Sequence, residues 1–315
     1  GVEILVADSD AFRKGDQNRV EITVSGAIIA SAGNQIPIIF ASARSTPEKS
    51  DWKGISFTDV DNPANSLVNV IINDAETGIS IKGSEGIFRQ IFINNCITGA
   101  KAEKNTNLKL SELSVKRCAT GIEIKNNTGF TLENSTFVHP AICVNSQTND
   151  GLTITGNNFL EFTDTGVITN EVGGITSISN NLFVSPQGSA LKIITQNPVV
   201  EYNTFDVAYG IQINQGNPVI RKNIILSQKS VFGTGKKGIE HLSGIFPLPV
   251  FGPNNIYGFT PEAAYMGCSG SSGSKSEEVL LMSRINGKTY DYRLSQPFPS
   301  IEDSWGIHRN SIPYE

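Results

Sequence analysis

The chain is short of charge, of methionine and of long apolar runs. Only 17% of its 315 residues are Asp, Glu, Lys or Arg, against an ordinary share of about 25%. Its 25 basic and 30 acidic residues leave a net charge of −5. No block of Lys and Arg could form a stripe that tracks phosphates, which argues against a nucleic-acid partner. No apolar run reaches the roughly 18 to 20 residues of a membrane-spanning helix. The four cysteines include no Cys-x-x-Cys, so neither a zinc site nor haem attachment is indicated. No Met followed by a basic segment and an apolar stretch stands at Gly1, so a signal peptide is expected to have been removed or to lie upstream. Two Met against 30 Gly, 14 Pro and 29 Asn favour turns and strands over helices.

What is there is a repeat. Leu110, Leu132 and Ile154 follow at intervals of 22, and the series goes on through Ile178, Val200 and Ile220. Phe137, Phe159, Phe183, Phe205 and Ile225 form a second column in the same phase, and Gly78, Gly99, Gly121, Ala141, Gly166, Ala190 and Gly210 form a third. After each small residue the chain alternates. Ile79 and Ile81, Ile122 and Ile124, Ile142 and Val144, Leu191 and Ile193, Ile211 and Ile213 flank Ser80, Glu123, Cys143, Lys192 and Gln212. A period of two with one apolar face is a half-buried strand. One such strand per turn, stacked in parallel, gives a coil whose equivalent residues lie about 4.8 Å apart.

Two residues before the Phe column stand Asn157, Asn181, Asn203 and Asn223, with Ser135 one turn earlier. Asn tolerates tight bends, and stacked amides bond along the axis, so this column is read as a structural ladder. The predicted fold class is all-β, a right-handed parallel β-helix solenoid with a C-terminal loop and hairpin cap. The coil is predicted over 1–235, wider and irregular over 1–84 and regular at ~22 residues over 85–230. Residues 236–315 are predicted as the capping region, with a linker at 268–277 and a hairpin at 279–294 around Asn286-Gly287.

Several phrases point further: Ser25-Gly-Ala-Ile-Ile-Ala-Ser-Ala-Gly-Asn34, Ile36-Pro-Ile-Ile-Phe-Ala-Ser-Ala43, Asp51-Trp-Lys-Gly-Ile-Ser-Phe57, Asn254-Asn-Ile-Tyr-Gly258 and Asp291-Tyr-Arg-Leu-Ser295. Together they resemble the right-handed parallel β-helix, or pectin-lyase-like, family, and in particular its bacterial secreted and cell-surface members. The resemblance implies an extracellular or surface location. It leaves activity open, because the fold hosts lyases, hydrolases, epimerases, phage spikes and adhesins.

The Asp-Asp, Gly-His-Gly and Arg-x-Lys signals of polygalacturonase-like enzymes are missing from the sequence, as is a pectate-lyase-type Asp cluster. The outward columns instead alternate in sign: Lys101 beside Glu123, and Lys82, Glu103 and Lys125 in line, with Asn145, Asn170 and Asn214 continuing the second column. This is the pattern of a solvated face. One constellation carries a sharper reading. Arg117, His139 and Glu161 are spaced by 22 and 22, with Asp164 and Asp206 in the same turns. A cation, an imidazole and a carboxylate in one line could bind a sugar and could move protons. The competing reading is a surface charge ladder. Cys96 and Cys118, also 22 apart, are expected as stacked neighbours, either disulfide-bonded or as free thiols. Asp8, Asp10 and Asp16 flank a loop that could hold Ca²⁺, but the spacing misses the EF-hand pattern, and no cofactor is expected. The sequence thus predicts a non-catalytic extracellular scaffold or adhesin, glycan-binding or part of a larger surface assembly. A homo-oligomer or a partner covering the N-terminal end is compatible with it. The alternative is a lyase or glycoside hydrolase acting on an acidic polysaccharide.

Overall fold

The computed structural model describes residues 2–7, 19–32, 36–60, 62–227, 236–242, 249–279, 281–283, 289–294 and 311–313. They form two compact units: Gly1–Thr153 with Glu171–Gly174, and Ile154–Asn170 with Ile175–Glu315. Each is a parallel β-coil with three walls.

In the first unit one wall stacks Ile22–Val24, Ile55–Thr58, Thr77–Lys82, Thr98–Glu103, Thr120–Lys125 and Ile142–Gln147. The second wall includes Ile29–Ser31, Lys109–Ser111 and Thr128–Glu133, and the third Glu3–Val6, Ile38–Ser42, Ser114–Lys116 and Thr136–Val138. Strands Ser66–Asn73 and Ile87–Asn94 run from the second wall into the third. They bend at Asn69 and Gln90, whose φ values are 56° and 54°. From Asn69 to Thr148 the described corners are turned repeatedly by one left-handed residue: Asn69, Gln90, Glu112 and Asn134 at one corner, Asp74, Asn95, Arg117 and His139 at the next, Lys104, Asn126 and Thr148 at the third. Left-handed backbone is uncommon outside Gly, and Asn and Asp adopt it most readily, which explains much of the Asn content.

The residue after each of these left-handed ones is buried, and at the third corner it is an amide. In the second unit the backbone N and Nδ2 of Asn157 donate to Oδ1 of Asn181 (2.9 and 3.1 Å), and the same pair of bonds runs from Asn181 to Asn203, Asn203 to Asn223 and Asn223 to Asn254. All five side chains are buried. A second ladder, not picked out in the sequence, stands in the first unit. Ser84 N donates to Asn105, Asn105 to Asn127, Asn127 to Asn149, and Asn149 to the carboxylate of Glu171. Its signal was a 22-residue spacing of Asn105, Asn127 and Asn149.

Against these corners packs the apolar core. Phe159, Phe183 and Phe205 stack in the second unit with centroids 4.7 and 4.8 Å apart, the spacing of neighbouring strands. Each such pair is worth about 0.5–1.5 kcal/mol beyond its buried area. Phe137 is fully buried in the first unit. The small column lies beside the Phe column, because a Cβ on Gly121 would stand 2.6 Å from the ring of Phe137 and one on Gly166 2.8 Å from that of Phe183.

Three expectations change. The member of the small column after Gly121 is Cys143 and not Ala141, since Thr120 pairs with Ile142 and Ile122 with Val144. Cys143 is therefore buried rather than outward, and Asn145 falls beside Glu123, in the first outward column. The coil does not stop at 235. Lys237–His241, Val250–Phe251, Asn255–Tyr257 and Tyr265–Met266 pair in parallel with the preceding coil. Among the described residues Val250–Phe251 pairs on one side only, with Val219–Arg221. Part of the 268–277 linker is docked as well: Lys275 N donates to Asn254 O (2.8 Å), and Glu277 N to Oδ1 of Asn255 (2.9 Å). Beyond it Leu281–Ser283 and Thr289–Leu294 pair antiparallel, with Ser311–Pro313 as an unanticipated third strand. The Asn286-Gly287 turn and Asp8, Asp10 and Asp16 lie outside the described residues.

Candidate functional site

The predicted row Arg117, His139, Glu161 is a row of corner residues, with φ of 53°, 59° and 54°. In the first unit Lys116 pairs with Val138 and Arg117 N donates to Val138 O (3.1 Å), so Arg117 and His139 stand on adjacent rungs. Both are exposed. Arg117 Nε donates to Oδ1 of Asn94 (3.0 Å), and Asn95 Nδ2 donates to Oδ1 of Asp74 (2.7 Å). Glu161 belongs to the second unit, half-buried, its N donating to Val184 O (2.7 Å).

Asp206 is not a surface ligand. It is aligned with Val184 and Leu226, in a buried stretch of strand Thr204–Ile213, and is 1% exposed. Asp164 is on the surface, where its Oδ1 accepts from Lys192 Nζ (3.0 Å) and Thr165 Oγ1 (2.9 Å). Partial burial pushes the Asp164 carboxyl up, but those two hydrogen bonds and the lysine charge outweigh it and hold the group below its ordinary value.

Asp164 and Lys192 open a polar face on the second unit's first wall. Lys192, Gln212 and Glu240 are in register on successive coils, as are Ser189, Tyr209 and Lys237. Gln212 Nε2 donates to Glu240 Oε2 (3.1 Å), and Lys237 pairs with the other oxygen of Glu240. Tyr209, 38% exposed, offers a ring between them. Lys192 and Gln212 were read as outward from the sequence. Glu240 was missed because the coil was ended before it. The first unit's corresponding face has Lys101 and Glu123 at 3.5 Å and the aligned Lys82, Glu103 and Lys125. Lys109–Glu133 (2.7 Å) and Arg221–Glu201 (2.8 Å) make similar cross-coil pairs on the second walls of the two units. Each such surface pair is worth about 0–1 kcal/mol.

A different kind of carboxylate ends the first unit's ladder. Glu171 is buried, and its Oε2 accepts from Asn149 N (2.7 Å) and Nδ2 (2.9 Å), while Oε1 accepts from Ser146 Oγ. The amides all donate in one direction, so the last position needs only an acceptor, which a carboxylate supplies. Burial nevertheless pushes the Glu171 carboxyl up, and the bonds from Ser146 and Asn149 only partly offset it. A carboxyl raised in the folded state binds its proton more tightly folded than unfolded, so this group adds stability as the pH falls from neutral toward the ordinary value of 4.5. Asp51, Glu76 and Asp164 shift the other way: burial pushes them up, but hydrogen bonds and neighbouring cations bring them below their ordinary values. Their contributions are lost only below about pH 4.5. Between pH 7.5 and 5 the Glu171 contribution is therefore expected to rise. Urea unfolding of Glu171→Gln, whose Oε1 can still accept from Asn149, is expected to show less gain on acidification than the parent and at least equal stability at pH 7.5. A variant as pH-dependent as the parent would show that Glu171 is not the source.

Residues 25–183 and 103–244 match the family described as right handed beta helix region. No curated protein and no solved structure matches the chain. The family match spans most of the sequence and coincides with the parallel coils, their inward amide rows and their paired outward rows, so the chain belongs to the right-handed β-helix family.

Proposed function

We propose that the protein is a non-catalytic extracellular or cell-surface scaffold whose regularly spaced outer rows hold an extended hydroxylated polymer, a glycan, or a further component of a surface assembly. The observation that carries this reading is that the outward ionisable side chains bond one another from coil to coil. Lys101 meets Glu123, Lys192 meets Asp164 and Arg221 meets Glu201; the amide of Gln212 likewise reaches Glu240 on the next coil, which Lys237 pairs with from the same strand. A general acid or base works best with a pKa near the operating pH, and Asp164 is moved away from it. Rows repeating every ~4.8 Å suit an extended chain rather than a compact ligand. Tyr209 adds an apolar ring face of the kind that packs on a sugar, its hydroxyl staying available for hydrogen bonds.

The test is a glycan array run beside a turnover assay on uronate-containing polysaccharides, following unsaturated products and new reducing ends. Retention without turnover, weakened at least tenfold in Tyr209→Ala with Lys192→Ala, supports the glycan-holding scaffold. Product release that disappears in Asp164→Asn would replace it by the lyase or hydrolase reading. Neither retention nor turnover would leave assembly with other surface components and remove the glycan.

A further inference from the structure

We propose that Cys96 and Cys118 form a disulfide between adjacent coils, made by exchange with a low-molecular-weight disulfide such as oxidised glutathione. The two residues occupy the same slot in successive turns. Asn94 pairs with Lys116, the left-handed residues Asn95 and Arg117 follow, and each cysteine comes next, turned into the interior below Ala75. Their side chains have the same setting, since each Sγ donates to the carbonyl two residues back at 3.5 Å, Cys96 to Asn94 and Cys118 to Lys116. Identical settings one rung apart put the sulfurs one above the other, as two free thiols in the structure. Neighbouring parallel strands are about 4.8 Å apart, inside the Cα separation of roughly 4.4–6.8 Å that a disulfide spans.

The pair is also chemically unequal. The contact with Cys96 and the charge of Lys49 draw the Cys118 thiol down, while the same contact and burial push Cys96 up. As the coil forms but before it seals over the pair, this inequality makes Cys118 the attacking thiolate. It displaces one glutathione thiolate from oxidised glutathione and leaves a mixed disulfide on its own sulfur. Cys96 then gives up its proton, attacks that sulfur and releases the second glutathione, so two electrons pass from the protein sulfurs to glutathione and two protons follow them. Both sulfurs are buried in the folded chain, which places the exchange during folding and shields the product afterwards. Cys143 faces the Gly121 slot of the first wall and Cys268 lies in the second unit. Neither shares this corner slot.

This inference does not depend on the scaffold reading, and its test contains no glycan. The full chain is unfolded with reductant, refolded across a series of glutathione ratios, unfolded again in acid and alkylated with N-ethylmaleimide. Of the four cysteines, two are expected to be alkylated in the oxidised product, Cys143 and Cys268, and non-reducing proteolysis is expected to join the Cys96 and Cys118 peptides. The bond closes a loop of one coil, so the unfolding constant is expected to fall roughly 300-fold relative to the same protein in dithiothreitol. The Cys96→Ser, Cys118→Ser double variant is expected to ignore dithiothreitol. Four alkylated cysteines at every ratio, or a bond that includes Cys143 or Cys268, would overturn the assignment. The parent chain is its own control, so the result does not rest on the variant folding.

Discussion

Asn203→Leu is expected to lower the free energy of unfolding by about 4 kcal/mol, read from urea unfolding followed by circular dichroism in the strand region. Leucine is close to asparagine in size, so the change removes hydrogen bonds while leaving little void. Asn203 is fully buried and its side chain bonds four residues. Its Nδ2 donates to the carbonyls of Ile178 (2.8 Å) and Glu201 (3.0 Å) and to Asn223 Oδ1 (3.0 Å), while its own Oδ1 accepts from Asn181 N (3.1 Å) and Nδ2 (3.0 Å). Leucine strips a donor from both carbonyls and an acceptor from both Asn181 groups, in a place water does not reach. Each buried group left without its partner costs about 1–3 kcal/mol, whereas the gain from making the bond in the first place is nearer 1 kcal/mol. The asymmetry is why a ladder of modest bonds is costly to interrupt.

Asn203→Asp sharpens the argument. A carboxylate can still accept from Asn181 but cannot donate to Ile178 O or Glu201 O, and it faces the Asn223 oxygen. Its cost should approach that of leucine at neutral pH and shrink in acid, where the protonated group regains one donor. A loss of under 1 kcal/mol for both variants would mean that the amide column is a by-product of corner geometry and not a support for it.

The same chemistry decides what could be read from the sequence. Asn157, Asn181, Asn203 and Asn223 are legible because they keep a fixed distance to the Phe column, whose bulk is hard to miss. The second ladder escaped because it begins at Ser84 and ends at Glu171, so only three of its five positions carry the amide. Any side chain that accepts can close a row of donors, and residue type is a poor guide to such a position. The coils after 235 escaped for a metric reason. Asn223 and Asn254 are neighbours in the ladder although 31 residues apart, so the inserted chain hides the period while the inward positions persist.

The surface was less legible than the interior. The spacing placed Arg117 and His139 on neighbouring rungs and paired Lys101 with Glu123, because backbone register alone fixes those relations. It could not tell which way a side chain turns at a corner. Arg117 bonds back to Asn94, and Asp206 is buried although it directly follows the inward Phe205. Alternation distinguishes the two faces of a strand but not whether the second face is covered, and Thr204, Phe205, Asp206 and Val207 are all buried. Cys143 failed in a related way. Ala141 is also small, and choosing it two residues early keeps the alternation of Ile142 and Val144 intact while moving each to the wrong slot.

The slot itself makes the last prediction. Gly121→Val is expected to cost about 3–4 kcal/mol or to prevent folding. A Cβ on Gly121 would stand 2.3 Å from the carbonyl oxygen of Cys143 on the next rung and 2.6 Å from the ring of Phe137. The first contact is with backbone that is itself held in the ladder, and the second with a ring locked in the interior, so neither can yield alone. Moving the carbonyl away stretches the pairing of Thr120 with Ile142 and Ile122 with Val144; moving the ring disturbs the packed core around it. Gly26 provides the comparison, because nothing lies within 4 Å of a Cβ built there, and Gly26→Val is expected to change stability by no more than about 0.5 kcal/mol. Phe137→Leu in the Gly121→Val background should recover part of the loss by giving the new side chain room, although the clash with the Cys143 carbonyl remains. Equal costs at Gly121 and Gly26 would show that the slot beside Phe137 does not require glycine. A large cost at Gly121 with partial recovery by Phe137→Leu would show instead that the slot is narrow because a large side chain fills the space beside it, Phe137 here as Ile93 does beside Gly78 and Phe183 beside Gly166, which couples the two columns into one packing rule.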